Sequence, residues 1–159
     1  MSTHAGFSQL STDRAKPLTA VIDDDARMLE SLQDLLESVG YQVLLFASAE
    51  AFLLSTRADS VSCLITDIGL PGMDGSSLII HLRKEQPVLS IIVITGRDTD
   101  QIRDACATAG MHAFFRKPFD PSQLIAAIRE VRKERDRLFH VGNVDSDMIH
   151  PRHLHELRW

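Results

Sequence analysis

Five short apolar runs, Leu18 to Ile22, Val43 to Phe46, Cys63 to Thr66, Ile91 to Thr95 and Ala113 to Phe115, alternate along this chain with stretches of helical period. No other feature restricts the fold so tightly. The runs are nearly continuous in apolar residues, as strands are when both faces of a parallel sheet are covered. Between the first two, Met28, Leu29, Leu32, Leu35, Leu36 and Val39 share one helical face, and Gly40 stands where that helix must end. Ser48 to Thr56, Ser76 to Lys84 and Thr99 to Ala109 read as the second to fourth helices, the fourth stopping before Gly110. Asp120 suits the N-cap of a fifth, Pro121 its first position, and Gln123 completes a capping-box pattern before Leu124, Ile125 and Ile128. Strict alternation of this kind predicts an α/β fold: a doubly wound, five-stranded parallel sheet with helices on both faces, joined by right-handed crossovers.

In such a sheet the site lies at the carboxyl ends of the strands, near the point where strand order reverses. The first strand runs into Asp23, Asp24 and Asp25, the third into Asp67, the fourth ends in Thr95, and the fifth leads to Lys117 and Pro118. Crowded carboxylates repel one another unless a hard cation with oxygen ligands sits among them, and Mg²⁺ is the natural candidate. A lysine and a hydroxyl facing that cluster suit a phosphoryl group, whose oxygens require positive charge and hydrogen bonds. Taken singly, an Asp run after a strand is more often a turn and helix cap, and a lone Thr or Lys is more often structural or solvated. Their joint occurrence at the ends of strands one, three, four and five outweighs those readings.

Composition narrows the partners. With 44% hydrophobic and 25% charged residues, 159 residues suffice for one domain with a closed core and short tails. A formal charge of -5 disfavours polyanionic partners, so neither direct nucleic-acid binding nor membrane binding is expected, and a protein partner is. No apolar run reaches the roughly 18 residues of a membrane span, and Met1 to Pro17 lacks the apolar centre of a secretory signal. Cys63 and Cys106 lack metal-ligand spacing and read as reduced, buried residues, which points to the cytoplasm.

The segments Val21-Ile22-Asp23-Asp24-Asp25, Thr66-Asp67-Ile68-Gly69-Leu70-Pro71-Gly72-Met73-Asp74-Gly75, Ile94-Thr95-Gly96 and Phe115-Arg116-Lys117-Pro118-Phe119 resemble the receiver domain of two-component response regulators. The stretches Asp34 to Tyr41 and Phe46 to Phe52 look most like receivers of the nitrogen-fixation regulator (FixJ) group. The resemblance implies a flavodoxin-like (βα)₅ fold over residues 18–137; residues 1–17, which lack periodicity, read as a flexible arm and 138–159 as a tail. It makes Asp67 the phosphorylated nucleophile, Asp24 a direct Mg²⁺ ligand, Asp23 a ligand mainly through water, and Gly69 a backbone-carbonyl ligand. Thr95 would bond the phosphoryl group, Lys117 would pair with it, and Phe114 would hold the aromatic switch position. Asp25, one place beyond the family's acidic pair, is expected to cap a helix, and the Lys117–Pro118 bond is expected cis. The donor would be a sensor histidine kinase or phosphotransfer protein. Output would pass to a downstream protein through the fourth helix, fifth strand and fifth helix, a face that is also a candidate homodimer contact.

Two departures from the family's familiar members carry expectations. Bare Gly69 leaves the pocket open to water, so the phospho-form is expected to be short-lived. After the fifth helix about twenty residues remain, too few for the helix-turn-helix domain that FixJ-type regulators carry. In the tail, His150, His153 and His155 are more simply solvated than metal-bound, while Leu154, Leu157 and Trp159 suit a short amphipathic turn. Two competing functions remain. A phosphorylation-independent scaffold would usually lack part of the acidic pair, Asp, Thr and Lys set, all present here. An Asp-nucleophile phosphatase of the haloacid dehalogenase type needs a second Asp two places after the nucleophile, where this chain has Gly69.

Overall fold

A computed structural model describes residues 18–70, 75–97 and 100–142, so Pro71 to Asp74, the N-terminal arm and the His-rich tail lie outside the described residues. The elements are β1 (Leu18–Ile22), α1 (Ala26–Ser38), β2 (Gln42–Phe46), α2 (Ala49–Leu54), β3 (Cys63–Thr66), α3 (Gly75–Glu85), β4 (Ser90–Thr95), α4 (Asp100–Ala109), β5 (Ala113–Arg116) and α5 (Pro121–Gly142), with a 3₁₀ turn at Ala58–Ser60. All four strand pairings are parallel, in the order β2-β1-β3-β4-β5. Strand order therefore reverses between β1 and β3, which places the switch point at the ends of the two strands that lead into the aspartates.

Side chains alternate across the sheet and build two cores. Ala20, Ile22, Leu64, Ile91 and Val93 pack with Phe52, Leu78, Leu82 and Cys106 from α2, α3 and α4. Val21, Ile65, Ile92 and Ile94 face the other way, against Leu32 and Leu36 of α1 and Leu124, Ile128 and Val131 of α5. The central strands β1, β3 and β4 are buried throughout, whereas the edge strands β2 and β5 are only half-buried. Both cysteines are buried as thiols, and burial pushes the Cys63 thiol up to about 12.

Local signals set most helix ends. Asp25 Oδ1 accepts the Arg27 N–H at 2.9 Å, and Ser48 Oγ accepts the Ala51 N–H at 3.1 Å, each an N-cap worth about 1 kcal/mol. Gly40, at φ +94°, carries the chain out of α1 as expected. Val39, assigned by period to the core face of α1, is instead 38% exposed, because it occupies the C-cap where helical geometry has already ended. The second helix stops at Leu54, two residues short of Thr56, because Ser55 turns to extended backbone. At α5, Asp120 Oδ1 accepts both the N–H and the hydroxyl of Ser122. The fifth helix runs to Gly142, past the expected boundary at 137, and no Gly or Pro interrupts it between Ser122 and Val141.

Opposite the site, Arg83 of α3 ties the base of the domain together. Its Nε and Nη2 donate to the Gly110 carbonyl at 3.0 and 2.7 Å, and Nη1 donates to Pro87 and Leu89 carbonyls at 3.1 and 2.7 Å. Nη2 also lies 3.0 Å from His112 Nδ1, which accepts the Ile91 N–H at 3.0 Å. A backbone N–H can only donate, so Nδ1 is unprotonated and the neutral ring carries its proton on Nε2. Gly110 is doubly constrained: its φ is +111°, and a Cβ there would lie 2.8 Å from Arg83 Nε.

Candidate functional site at the strand ends

The parallel ladder runs one residue past the strands and thereby aims the acidic and basic side chains. The Asp23 N–H donates to the Phe46 carbonyl at 3.1 Å, the Asp67 N–H to Ile22 at 3.0 Å and the Lys117 N–H to Thr95 at 2.8 Å. Asp23, Asp67 and Lys117 are thus held by backbone hydrogen bonds to neighbouring strands, which fixes their spacing more firmly than a free loop would. The Lys117–Pro118 peptide is cis, as the family resemblance implied.

Asp23, Asp24 and Asp67 each offer a carboxylate oxygen within 4.8 Å of the others. Lys117 Nζ bridges two of them, 2.7 Å from Asp23 Oδ2 and 3.0 Å from Asp67 Oδ2. Asp23 is 3% exposed, and its second oxygen accepts the Asp25 N–H at 2.9 Å. Burial holds the Asp23 carboxyl above its usual range, against the opposing hydrogen bonds from Lys117 and Asp25. Burial alone would lower Lys117, but its hydrogen bonds to Asp23 and Asp67 outweigh that and raise it, so the ammonium is retained. Three oxygen donors at this spacing, one buried and two open to solvent, form a donor set suited to a hard divalent ion such as Mg²⁺. Asp24 is exposed and Asp67 partly so, which leaves the cluster open to an ion from solvent.

The remaining predicted residues divide. Thr95 is fully buried and its Oγ accepts the Arg97 N–H at 3.0 Å, which leaves the hydroxyl hydrogen available to an acceptor. Gly69 is tied to the nucleophile candidate by its N–H, which donates to Asp67 Oδ1 at 2.9 Å. Asp25 caps α1 and joins the site only through its backbone N–H. Phe114 pairs with Val93 across the β4–β5 ladder and packs half-buried against the α2–α3–α4 core. Alternation puts Thr95, two residues beyond Val93, on that same face.

Two arginines were missed by the sequence reading. The Arg103 guanidinium of α4 lies 4.9 Å from the Phe114 ring centroid, a cation–π contact over the expected switch residue. Arg97 lies over Gly69: a Cβ at Gly69 would meet Asp67 Oδ1 at 3.5 Å and the Arg97 Nε and Cδ at 3.7 and 3.8 Å. Gly69 and Arg97 are both exposed, so this side of the pocket is open to solvent, with the stem of Arg97 bordering the space that a side chain at 69 would fill. Its place two residues past the end of β4 was the one signal available, and a strand-end position alone does not tell which way a long side chain turns.

The family model described as the response regulator receiver domain matches residues 19–129. Transcriptional regulatory protein FixJ of Bradyrhizobium diazoefficiens is 34% identical over 116 residues, covering 73% of this chain and 57% of that protein. FixJ of Azorhizobium caulinodans is 38% identical over 109 residues, covering 69% of this chain and 52% of that protein. Nodulation protein W of Bradyrhizobium diazoefficiens is 34% identical over 145 residues, covering 89% of this chain and 63% of that one. The chain thus spans between half and two thirds of the length of these curated relatives. Among solved structures, a CheY-like receiver domain protein of Methanospirillum hungatei superposes with a TM-score of 0.72 at 28% identity, over 77% of this chain and 98% of that one. A receiver protein of Pseudomonas putida gives 0.69 at 30% identity, over 73% and 98%. Family model, relatives and solved folds agree with the acidic cluster, and the chain belongs to the receiver family of two-component response regulators.

Proposed function

We propose that this receiver accepts a phosphoryl group on Asp67 and signals through protein contacts. The observation that carries the reading is Lys117 Nζ held between Asp23 and Asp67 within a cluster of three carboxylates. Receiver domains are signalling modules that interact with histidine kinases or phosphotransfer proteins and bind Mg²⁺ at an acidic pocket. Here the donor is a phosphohistidine of such a partner. An Asp67 carboxylate oxygen forms the new O–P bond as the P–N bond to the imidazole breaks, and the imidazole leaves with the bonding pair. Asp23, Asp24, Asp67 and the Gly69 carbonyl would hold Mg²⁺, which neutralises charge on the phosphoryl oxygens. Lys117 stays protonated and pairs with the same oxygens, and Asp23, fixed by Asp25 N–H and Lys117, orients the ammonium. Later attack by water returns the carboxylate and releases phosphate.

The signal passes through Thr95. Its hydroxyl hydrogen turns to a phosphoryl oxygen, the side chain shifts inward, and Phe114 fills the space it leaves. Phe114 has no hydroxyl, so its contribution is steric, and the face made by α4, β5 and α5 carries the change to a downstream protein or to a second copy. No described helix is long and apolar enough to cross a membrane, and the reading places the protein in the cytoplasm.

The test is incubation with acetyl phosphate and Mg²⁺, read by intact mass beside Asp67→Asn. One phosphoryl adduct that requires Mg²⁺ and is lost in the variant supports the proposal. No adduct on the unaltered chain, with acetyl phosphate or with a phosphorylated histidine kinase, would leave it a phosphorylation-independent scaffold.

A further inference from the structure

We infer that Arg97 is a second cationic contact for the phosphoryl group, closing the Gly69 side of the pocket while Lys117 holds the other side. This rests on the reading of Asp67 as phosphoacceptor and adds a residue that the acidic pair, Thr and Lys set does not contain.

The two oxygens of Asp67 have different neighbours. Oδ2 is taken by Lys117 at 3.0 Å, whereas Oδ1 accepts the Gly69 N–H at 2.9 Å. Arg97 stands on the Oδ1 side: its Nε and Cδ lie 3.7 and 3.8 Å from the point where a Gly69 Cβ would be, and Asp67 Oδ1 lies 3.5 Å from the same point. The base of the side chain is anchored, since the Arg97 N–H is bonded to the Oγ of the fully buried Thr95. The guanidinium is not: among the described residues no hydrogen bond or ion pair holds it. A guanidinium offers five N–H donors in a planar fork that matches phosphoryl oxygens. An arginine whose backbone is anchored, and whose side chain flanks Gly69 with no partner among the described residues, can swing to engage what is added to the Asp67 carboxylate.

Charge balance gives the reason. The three carboxylates carry three negative charges, which Lys117 and a divalent ion together offset. Phosphorylation converts the single charge of Asp67 into a phosphoryl dianion, leaving one negative charge uncompensated. Arg97 supplies that missing charge only in the phosphorylated state. A Cβ at 69 would lie at ordinary contact distance from the Arg97 Nε and Cδ, so only a side chain longer than alanine would compete with the arginine for this side of the pocket.

The test uses beryllofluoride, a tetrahedral phosphoryl mimic, titrated into the full chain with saturating Mg²⁺ and followed by backbone amide shifts. Arg97→Met keeps the bulk of the stem and removes the charge; Arg97→Lys keeps the charge. Arg97→Met should bind roughly tenfold more weakly. Arg97→Lys should recover part of the loss, and the melting temperature without fluoride should be unchanged in both. Binding by Arg97→Met within twofold of the unaltered chain overturns the inference while leaving the acceptor reading intact. Equal loss in both variants with a lowered melting temperature assigns Arg97 a structural role and also overturns it. Failure of the unaltered chain to bind refutes the acceptor reading and this inference together.

Discussion

Acidification should weaken this fold through one histidine. His112 is half-buried beside Arg83, and desolvation first, then the Arg83 charge, pushes its imidazole down to about 4 from an ordinary 6.5. A proton on Nδ1 would also break the hydrogen bond from the Ile91 N–H and face the Arg83 guanidinium at 3.0 Å. The folded state therefore binds this proton less readily than the unfolded chain. Stability from the neutral ring is fully present above pH 6.5, declines as pH falls from 6.5 to about 4, and changes no further below that. At about 1.4 kcal/mol per pH unit the whole interval corresponds to roughly 3 kcal/mol, of which about 2 kcal/mol is lost between pH 7 and pH 5. The assay is urea unfolding at pH 7 and pH 5 of the unaltered chain and His112→Asn, whose amide oxygen can take the Ile91 N–H without titrating. The carboxylates contribute equally to both, so the difference between the two proteins isolates the ring. The unaltered chain should lose about 2 kcal/mol more than the variant over that interval. Parallel pH dependences, or a ring that titrates near 6.5 by NMR, would refute the reasoning.

Two further outcomes follow from the geometry. Lys117→Met should remove the cation between Asp23 and Asp67, drive the buried Asp23 carboxyl further upward, and slow acetyl-phosphate labelling by at least roughly a hundredfold, checked by intact-mass time courses at several pH values. Gly110→Ala should cost more than about 1 kcal/mol in urea unfolding, since it adds a positive-φ penalty to a 2.8 Å approach to Arg83 Nε, and a neutral outcome would mean that Arg83 relaxes freely.

The site was legible in the sequence to an unusual degree, and the reason is topological. Strand ends in a parallel sheet converge on one rim, so residues distant in the chain can be grouped by being next to a strand end. Asp23 and Lys117 are 94 positions apart, yet both follow strands, so their convergence on one rim was expected, while their direct ion pair was not. The same logic found Asp67 and Thr95. The cap at Asp25 was expected, whereas Ser48, read as the first residue of its helix, is in fact the cap that precedes it.

What the sequence by itself determined is whatever depends on period and on short-range backbone chemistry: five buried runs, five helices, the glycine that ends α1, and the acidic rim. Tertiary structure alone decided the direction of the long side chains. Arg97 turns over Gly69, Arg103 lies on Phe114, and Arg83 reaches 27 positions along the chain to Gly110. It also set the strand order that puts β1 beside β3, and the exposure of Val39 at a helix end. Arginine stems have several rotatable bonds and no apolar period to reveal them. Their partners exist only after the crossovers have brought separate strands and helices together, and their positions are chosen by hydrogen bonding and charge at that stage.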